Sequence, residues 1–172
     1  MFDFVKKLMS CGKKTLKLVI EGEPVVQARP KFGRGGRVYE PKKCTDAKAK
    51  IRAVAEREMI TQDFAKAHKE MAVIFNICFY KGIPKFKPKW WRYAAWLGLI
   101  APVGRTGDLD NLVKLAQDSI NGIVFYDDSQ ICELHAYSRY SLNPRTEIEI
   151  EALYTNIGDI KEAVKRTEGS VE

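Results

Sequence analysis

The sequence predicts a single α/β (α+β) domain in which helices pack on a mixed β-sheet. The chain has 172 residues, the length of one typical domain. Hydrophobic residues make up 45% of it, which is too many for a disordered chain. Segments of strand-like period alternate with segments of helical period. We expect residues 1–13 to form an extension, residues 14–156 the main domain, and residues 157–172 a C-terminal helix and polar tail.

The first third of the chain predicts a strand, a basic loop and a long helix. Residues 14–20 alternate between polar and apolar side chains and then run apolar, as a strand does. Residues 21–43 are rich in glycine, proline and basic side chains, which favours a flexible loop or a short hairpin. Thr45 or Asp46 can cap a helix that runs to about Lys69.

The remaining elements complete the predicted sheet. Residues 71–80 are apolar on both alternating faces, which is typical of a central strand covered on both sides. A basic, aromatic insertion occupies residues 81–105, and an amphipathic helix over residues 110–120 ends at Asn-Gly. Residues 130–141 and 146–154 alternate, and we expect these two strands to pair as an antiparallel hairpin.

The charge is distributed unevenly along the chain. Residues 1–105 contain 23 basic and 9 acidic residues, a balance of +14, whereas residues 106–172 contain 6 basic and 13 acidic residues, a balance of −7. This asymmetry indicates a polyanionic partner and a carboxylate cluster with its own role. The alternative is charge complementarity between two parts of one fold. No apolar run is long enough for a membrane helix and the N-terminus lacks a secretion signal, so we expect a cytoplasmic protein without a membrane partner.

Several common site types are absent from the sequence. The four cysteines are widely spaced and form neither a disulfide framework nor a zinc pattern. Cys132 and His135 are three residues apart in a predicted strand, where their side chains face opposite sides. No Ser/His/Asp arrangement or phosphate-binding P-loop is visible, which argues against a nucleophilic hydrolase and against a nucleotide cofactor.

The acidic residues that carry chemistry lie in two short segments. Asp108 and Asp110 are two residues apart, and Lys114 follows Asp110 by one helical turn. Asp127 and Asp128 follow after a short return of the chain, which can bring a third carboxylate beside the first two. Three hard oxygen ligands suit Mg²⁺, with Mn²⁺ as a possible substitute, and such an ion assists phosphodiester hydrolysis.

Each of these features also has an ordinary structural interpretation. An Asp-x-Asp pair is commonly a helix cap and a solvated side chain. Asp110 and Lys114 at this spacing are commonly a surface ion pair, and an Asp-Asp dipeptide is a common turn. An EF-hand is excluded because a loop that starts at Asp108 has Val113 where glycine is needed.

Taken together, these motifs resemble a known signature. Gly107-Asp-Leu-Asp-Asn-Leu-x-Lys114-x-x-x-Asp118, then Asn-Gly, then Tyr126-Asp-Asp-Ser-Gln-Ile131, resembles the signature of the RusA-type Holliday-junction resolvases. Gly22-Glu-Pro and Gln27-Ala-Arg-Pro-Lys-Phe32 resemble the amino-terminal pattern of the same family. The resemblance covers roughly residues 16–153.

The resemblance implies a Mg²⁺-dependent, homodimeric endonuclease that nicks opposed strands at four-way DNA junctions in recombination and repair. It assigns metal binding to Asp108, Asp110 and Asp128, and a catalytic role to Lys114. Asp127 is adjacent and can share the metal role. Two rival hypotheses stay open: a nuclease for flaps, forks or RNA, and a non-catalytic protein that binds branched DNA through its basic segments.

Two further segments are candidates for DNA contact. The glycine-rich basic stretch can hold phosphates, with these predicted contacts: Arg29, Lys31, Arg34, Arg37, Lys42 and Lys43. Trp90, Trp91 and Trp96 can stack on splayed bases, although bulky aromatic side chains more commonly belong to a core or a dimer interface, and we favour that interpretation.

Overall fold

The computed structural model describes residues 14–29, 31–32, 38–104, 108–153 and 165. These residues form one mixed α+β domain, as the sequence predicts. Six strands are described: β1 (Lys14–Glu21), β2 (Lys31–Phe32), β3 (Val38–Tyr39), β4 (Ala72–Gly82), β5 (Ile131–Ser141) and β6 (Arg145–Leu153). The three described helices are α1 (Lys42–Thr61), α2 (Lys89–Trp96) and α3 (Leu109–Ile120).

The main sheet has four strands in the order β1-β6-β4-β5. β6 runs antiparallel to both β1 and β4, whereas β4 and β5 are parallel. β1, β4 and β5 therefore all point the same way. We call the side of the sheet where these three strands end the carboxyl edge, and the side where they begin the amino edge. The pair β2–β3 forms a separate two-stranded hairpin within the predicted basic loop.

The hydrophobic core lies between one face of the sheet and helices α1 and α3. Alternate residues of each strand point into it because side chains in a strand alternate between faces. The largest fully buried side chains include residues from three strands and from α3: Leu16, Leu18, Val73, Phe75, Ile77, Leu112, Ile120, Ile148 and Ile150. The opposite face of the sheet is only partly covered by the described residues, and β4 alternates between buried and half-buried positions along its whole length.

Helices α1 and α3 both run from the carboxyl edge to the amino edge. In α1, Lys50 donates to the carbonyl of Glu21 at the end of β1, whereas Gln62, just past the helix, bonds Lys17 near the start of β1. In α3, the carbonyl of Asn111 accepts from Gln27 N in the loop that follows β1, at 3.1 Å. The N-termini of both helices therefore lie at the carboxyl edge.

The long helix begins and ends earlier than the sequence predicts. It starts at Lys42 after Pro41, and the Thr45 hydroxyl donates to the carbonyl of Lys42 within the first turn rather than capping the helix. It ends at Thr61 because Asp63 adopts a left-handed conformation, with φ of 48°. The segment up to Lys69 is not helical. Phe64 and Ala67 are nevertheless buried, which explains their hydrophobic pattern.

The predicted hairpin between the last two strands is wrong. β5 and β6 each pair with β4, which lies between them. Three residues, 142–144, connect β5 to β6, and an extended segment of that length spans about 10 Å, enough to step over one strand. The connection crosses the end of β4, where Pro144 Cγ would lie 3.3 Å from a Cβ at Gly82. A Cβ here would lie still closer to Glu23 Oε1, which accepts from Gly82 N at 2.9 Å, so glycine leaves room for both neighbours.

The other strand and helix predictions hold with small changes. The first strand extends to Glu21, the amphipathic helix is α3, and β4 is central in the sheet, but its second face is half-buried rather than covered. β5 alternates as predicted except at Cys132, where a register shift inserts one residue. The predicted C-terminal helix and the extension over residues 1–13 lie outside the described residues, apart from residue 165. Among the residues that are described, no helix is long and apolar enough to cross a membrane.

The core makes a direct stability prediction. Phe75 is fully buried at the centre of the sheet, and we expect Phe75→Ala to lower the free energy of unfolding by about 3–5 kcal/mol. Phe86 is 83% exposed, and Phe86→Ala should change that free energy by less than about 0.5 kcal/mol. Urea denaturation followed by circular dichroism measures both. Equal losses for the two variants would contradict this placement of the core.

Candidate functional site

Two exposed carboxylates lie at the start of α3, at the carboxyl edge. Asp108 is the N-cap residue and Asp110 belongs to the first turn. The apolar face of α3 is buried against the sheet and α1, which fixes the direction of the helix. The partial positive charge of a helix N-terminus favours carboxylates at this place. Asn111 Nδ2 donates to Asp108 Oδ2 at 2.9 Å and orients that carboxylate.

Neither a capping hydrogen bond nor an ion pair occupies these two carboxylates among the described residues. Although Asp108 occupies the N-cap position, its side chain makes no capping hydrogen bond to the helix backbone. Lys114 is exposed one turn after Asp110, yet no ion pair joins the two within the part of the chain that the structure describes. Both carboxylates therefore remain exposed to solvent and accessible to a cation.

Asp127 and Asp128 lie at the amino edge, just before β5. Residues Asp128–Gln130 form a 3₁₀ turn in which Asp127 is the N-cap and accepts from Ser129 N at 2.9 Å. The Gln130 side chain closes this capping box and donates to the carbonyls of His68 and Met71. The hydrogen bond from the Ser129 backbone, with a further hydrogen bond from the Ser129 side chain, lowers the pKa of Asp127. Asp127 thus has a structural role, whereas Asp128 is exposed without a capping function.

One chain does not bring the two acidic segments together. The 12 residues of α3 span about 18 Å, and the chain then turns at the amino edge, where Ala67 N donates to the carbonyl of Val124. Over residues 14–29, 31–32, 38–104, 108–153 and 165, no three His, Cys, Asp or Glu side chains are grouped closely enough to hold a metal ion. The expected return of the third carboxylate to the first two does not occur within this chain.

The described basic residues predicted to contact DNA lie at the carboxyl edge. Arg29 is exposed two residues after Gln27, whose backbone bonds the first turn of α3. Lys42 and Lys43 are exposed in the first turn of α1. The backbone of Lys31 belongs to β2, and Arg34 and Arg37 lie outside the described residues. The fold therefore places cationic side chains at the same edge as Asp108 and Asp110.

An ion-pair network that was not predicted from the sequence joins α1 to α3. Lys48 Nζ in α1 lies 2.8 Å from Glu40 Oε1 and 3.3 Å from Asp118 Oδ2 in α3. Gln27 Nε2 also donates to Glu40, at 2.9 Å. Partial burial lowers the pKa of Lys48, but the hydrogen bonds to Glu40 and Asp118 outweigh it and raise the pKa above its ordinary value. Asp118 belongs to the acidic motif noted in the sequence, but Lys48 and Glu40 are distant from it in sequence, so the pattern did not predict that they are its partners.

The tryptophans of α2 do not share one environment. Trp91 is half-buried and packs edge-on against Tyr140 of β5, with ring centroids 5.4 Å apart. Trp90 is 69% exposed and Trp96 is 52% exposed. Trp90 and Trp96 therefore lie outside the core of the described chain, and the favoured alternative of a dimer interface, like base stacking, stays a prediction.

The Lys48 network predicts a specific pH dependence of stability. Lys48→Met removes this partly buried lysine and should lower the free energy of unfolding at pH 7 by about 1 kcal/mol. The hydrogen bond from Lys48 lowers the pKa of Glu40, so its contribution is present above the ordinary carboxyl value of 4.5 and is lost as the pH falls through the folded-state value. The difference between wild type and variant should therefore shrink on acidification.

Urea denaturation at pH 7 and at pH 3 measures this difference. Lys17→Met is the matched control because Lys17 pairs with Glu149 at 3.3 Å but is 69% exposed. Exposed pairs contribute little, so this variant should match wild type within about 0.5 kcal/mol. A difference for Lys48→Met that is independent of pH would contradict the role of Glu40.

Comparison with known proteins gives a consistent result. Residues 21–151 match the protein family described as endodeoxyribonuclease RusA. The uncharacterized protein YqaN of Bacillus subtilis (strain 168) is 30% identical over 145 residues, which cover 78% of this chain and 94% of YqaN. The matched segment contains both acidic motifs and the Lys48 network. The chain therefore belongs to the RusA family of endodeoxyribonucleases.

Proposed function

We propose that this protein is a Mg²⁺-dependent endonuclease that resolves four-way DNA junctions as a homodimer. The observation that carries the proposal is the exposed pair Asp108 and Asp110, at the same edge of the sheet as exposed basic residues, in a member of an endodeoxyribonuclease family. Carboxylates alone repel DNA. A nuclease site therefore needs surrounding cations that hold the phosphates against it.

The basic residues hold the phosphate backbone. Lys42 and Lys43 occupy the first turn of α1, where the partial positive charge of the helix end disfavours further cations. No acidic residue occupies that turn to offset them. A bound phosphate compensates both lysines and the unpaired N–H groups of the helix end, which supports a role in DNA binding. Arg29 extends this surface towards the start of α3.

The donor set fits a hard divalent cation. Asp108 and Asp110 offer carboxylate oxygens, which Mg²⁺ prefers and Mn²⁺ accepts. A bound ion of this kind offsets the negative charge that develops on the phosphate during hydrolysis. Lys114 lies one turn along α3 from Asp110 and stabilises the same phosphate as a point charge.

A homodimer accounts for the position of the third carboxylate. Asp128 lies at the amino edge and cannot join Asp108 and Asp110 of its own chain without a rearrangement of α3. A second copy in the opposite orientation supplies an Asp128 to each pair. Two equivalent sites also suit a substrate with two-fold symmetry, such as a four-way junction, in which two strands must be cut.

Cleavage and binding are separable in this proposal. Asp110→Asn should reduce the rate of junction cleavage in Mg²⁺ by about 100-fold or more, because it removes a metal ligand. Its affinity for the junction should be unchanged or higher, since a negative charge near DNA is lost. A labelled four-way junction, with electrophoresis for cleavage and for binding without metal, measures both.

The matched control is Asp63→Asn. Asp63 has a φ of 48°, a conformation that asparagine also adopts readily, and lies beyond the end of α1. This variant should cleave at the wild-type rate. If wild type binds the junction and does not cut it in Mg²⁺ or Mn²⁺, the protein is a DNA-binding protein without catalysis. Preferential cutting of flaps, forks or RNA would instead change the substrate.

The basic surface predicts a change in salt dependence. Each phosphate contact contributes about 0.9 to the slope of log affinity against log salt for duplex DNA. Lys42→Ala combined with Lys43→Ala should therefore reduce the magnitude of that slope by about 1–2. Lys14→Ala combined with Lys17→Ala, on exposed positions of β1, should leave it unchanged. Fluorescence anisotropy with a labelled junction over a salt series gives the slopes, and equal slopes for the two variants would exclude this surface.

A further inference from the structure

We propose that two copies of this chain join through β5, which pairs antiparallel with β5 of the second copy about a two-fold axis at Ala136. The four-stranded sheet of each copy then becomes half of one eight-stranded sheet. The inference rests on the proposed homodimer and specifies the surface, the register and the relative orientation of its two copies.

β5 is the longer of the two outer strands in the described part of the sheet. It has 11 residues, or about 36 Å, and it pairs only with β4. Alternate backbone N–H and C=O groups of such a strand point away from the sheet, as a template for another strand. Leu134 and Tyr137, which point to opposite faces of β5, are each 48% exposed. A long unpaired strand with exposed apolar side chains is a liability in a monomer.

β1 is the other outer strand, and side chains of the same chain occupy backbone groups on its outer side. Gln62 Oε1 accepts from Lys17 N at 3.0 Å, and Gln62 Nε2 donates to the carbonyl of Lys17 at 2.7 Å. Gln62 thus occupies the backbone groups that an added strand would use in the middle of β1. Lys50 occupies the carbonyl of Glu21 in the same way. Strand addition is blocked at β1 and not at β5.

The side chains of β5 are self-complementary in one register. Opposite residues of an antiparallel pair share a face, so the two-fold axis must pass through a residue and its own copy. An axis at Ala136 places Glu133 of each copy opposite Arg139 of the other, and His135 opposite Tyr137. An axis at His135 places Glu133 opposite Tyr137 instead, and an axis at Tyr137 places it opposite Ser141. Only the Ala136 register places a carboxylate opposite an arginine, and it does so twice, beside the contact of 2.6 Å that joins Glu133 to His135 within each chain.

The partly covered face of the sheet is a poorer dimer surface. Glu147, Glu149 and Glu151 lie in a row on that face of β6, and Glu147 and Glu149 are held by Arg145 at 2.7 Å and by Lys17 at 3.3 Å. Face-to-face packing of two copies would remove these carboxylates from water and bring like charges together, which is costly. Edge pairing leaves them exposed.

The two-fold axis has a direct consequence for the candidate site. It lies perpendicular to the sheet, so both helix layers remain on the same side while the strands of the second copy run in the opposite direction. The amino edge of one copy, with Asp127 and Asp128, then lies beside the carboxyl edge of the other, with Asp108 and Asp110. The same contact therefore builds the sheet and brings the two acidic segments together.

Disulfide cross-linking tests the axis. Ala136 lies opposite its own copy, and opposite residues of paired antiparallel strands have Cα atoms about 4.5–5.5 Å apart, within the range of a disulfide. With Cys11 and Cys132 replaced by serine, Ala136→Cys should form a covalent dimer on air oxidation. Val19→Cys is the matched control because Val19 is 47% exposed on β1, at the closed edge, and it should stay monomeric on a non-reducing gel.

Charge reversal tests the register. Glu133→Arg and Arg139→Glu should each weaken the dimer roughly 10- to 30-fold, because each creates two like-charge pairs across the axis. The double variant restores both pairs and should return the dissociation constant to within about threefold of wild type. Sedimentation equilibrium measures all four proteins. Restoration in the double variant is not expected if these residues only stabilise the folded monomer by separate contacts.

The outcomes distinguish this inference from the proposed function. A wild-type dimer that neither cross-links through Ala136→Cys nor responds to charge reversal would overturn the β5 interface and leave the nuclease proposal intact. A monomer at micromolar concentration would overturn the interface and the homodimer together. Cross-linking through Ala136→Cys with rescue in the double variant supports the interface, whether or not the protein cleaves DNA.

Discussion

The packing of α1 and α3 against one face of the sheet determines where the described candidate site residues lie. Both helices run opposite to β1, β4 and β5, so both N-termini lie at the carboxyl edge. Lys48 fixes the two helices relative to each other, since it contacts Glu40 before α1 and Asp118 in α3. Because two helix N-termini are also two partial positive charges, this edge attracts anions before any side chain is considered.

The positive potential of the two helix ends affects the acidic and the basic side chains at this edge in opposite ways. Asp108 and Asp110 lie where a helix end favours carboxylates, so the fold tolerates an acidic pair without a lysine or arginine partner among the described residues. Lys42 and Lys43 lie where a helix end disfavours cations. Helix stability does not explain two lysines in that place, whereas the proposed function gives them a role in binding phosphates. The acidic pair and the two lysines together make the carboxyl edge suitable for both a cation and a polyanion.

Local patterns predicted the elements, and non-local contacts decided the rest. The hydrophobic period of β1, β4 and α3 is contained in each segment, so these elements followed from the sequence. α1 ends where Asp63 adopts a left-handed conformation and Gln62 bonds β1 some 45 residues away, and no local signal in the sequence marks that end. The position of β4 between β5 and β6 depends on which strand edges meet, and a three-residue connection fits a hairpin equally well.

The same distinction applies to the site. The family resemblance predicted metal binding by Asp108, Asp110 and Asp128, but spacing along one chain does not show that α3 keeps the two segments at opposite edges. A single rigid domain has no means of closing that distance, because α3 is buried along its whole apolar face. A two-fold axis that reverses the strand direction of a second copy brings the acidic segments of different copies together without any internal motion. Antiparallel pairing of an edge strand provides such a symmetry, and β5 is the strand with a free edge and complementary charges.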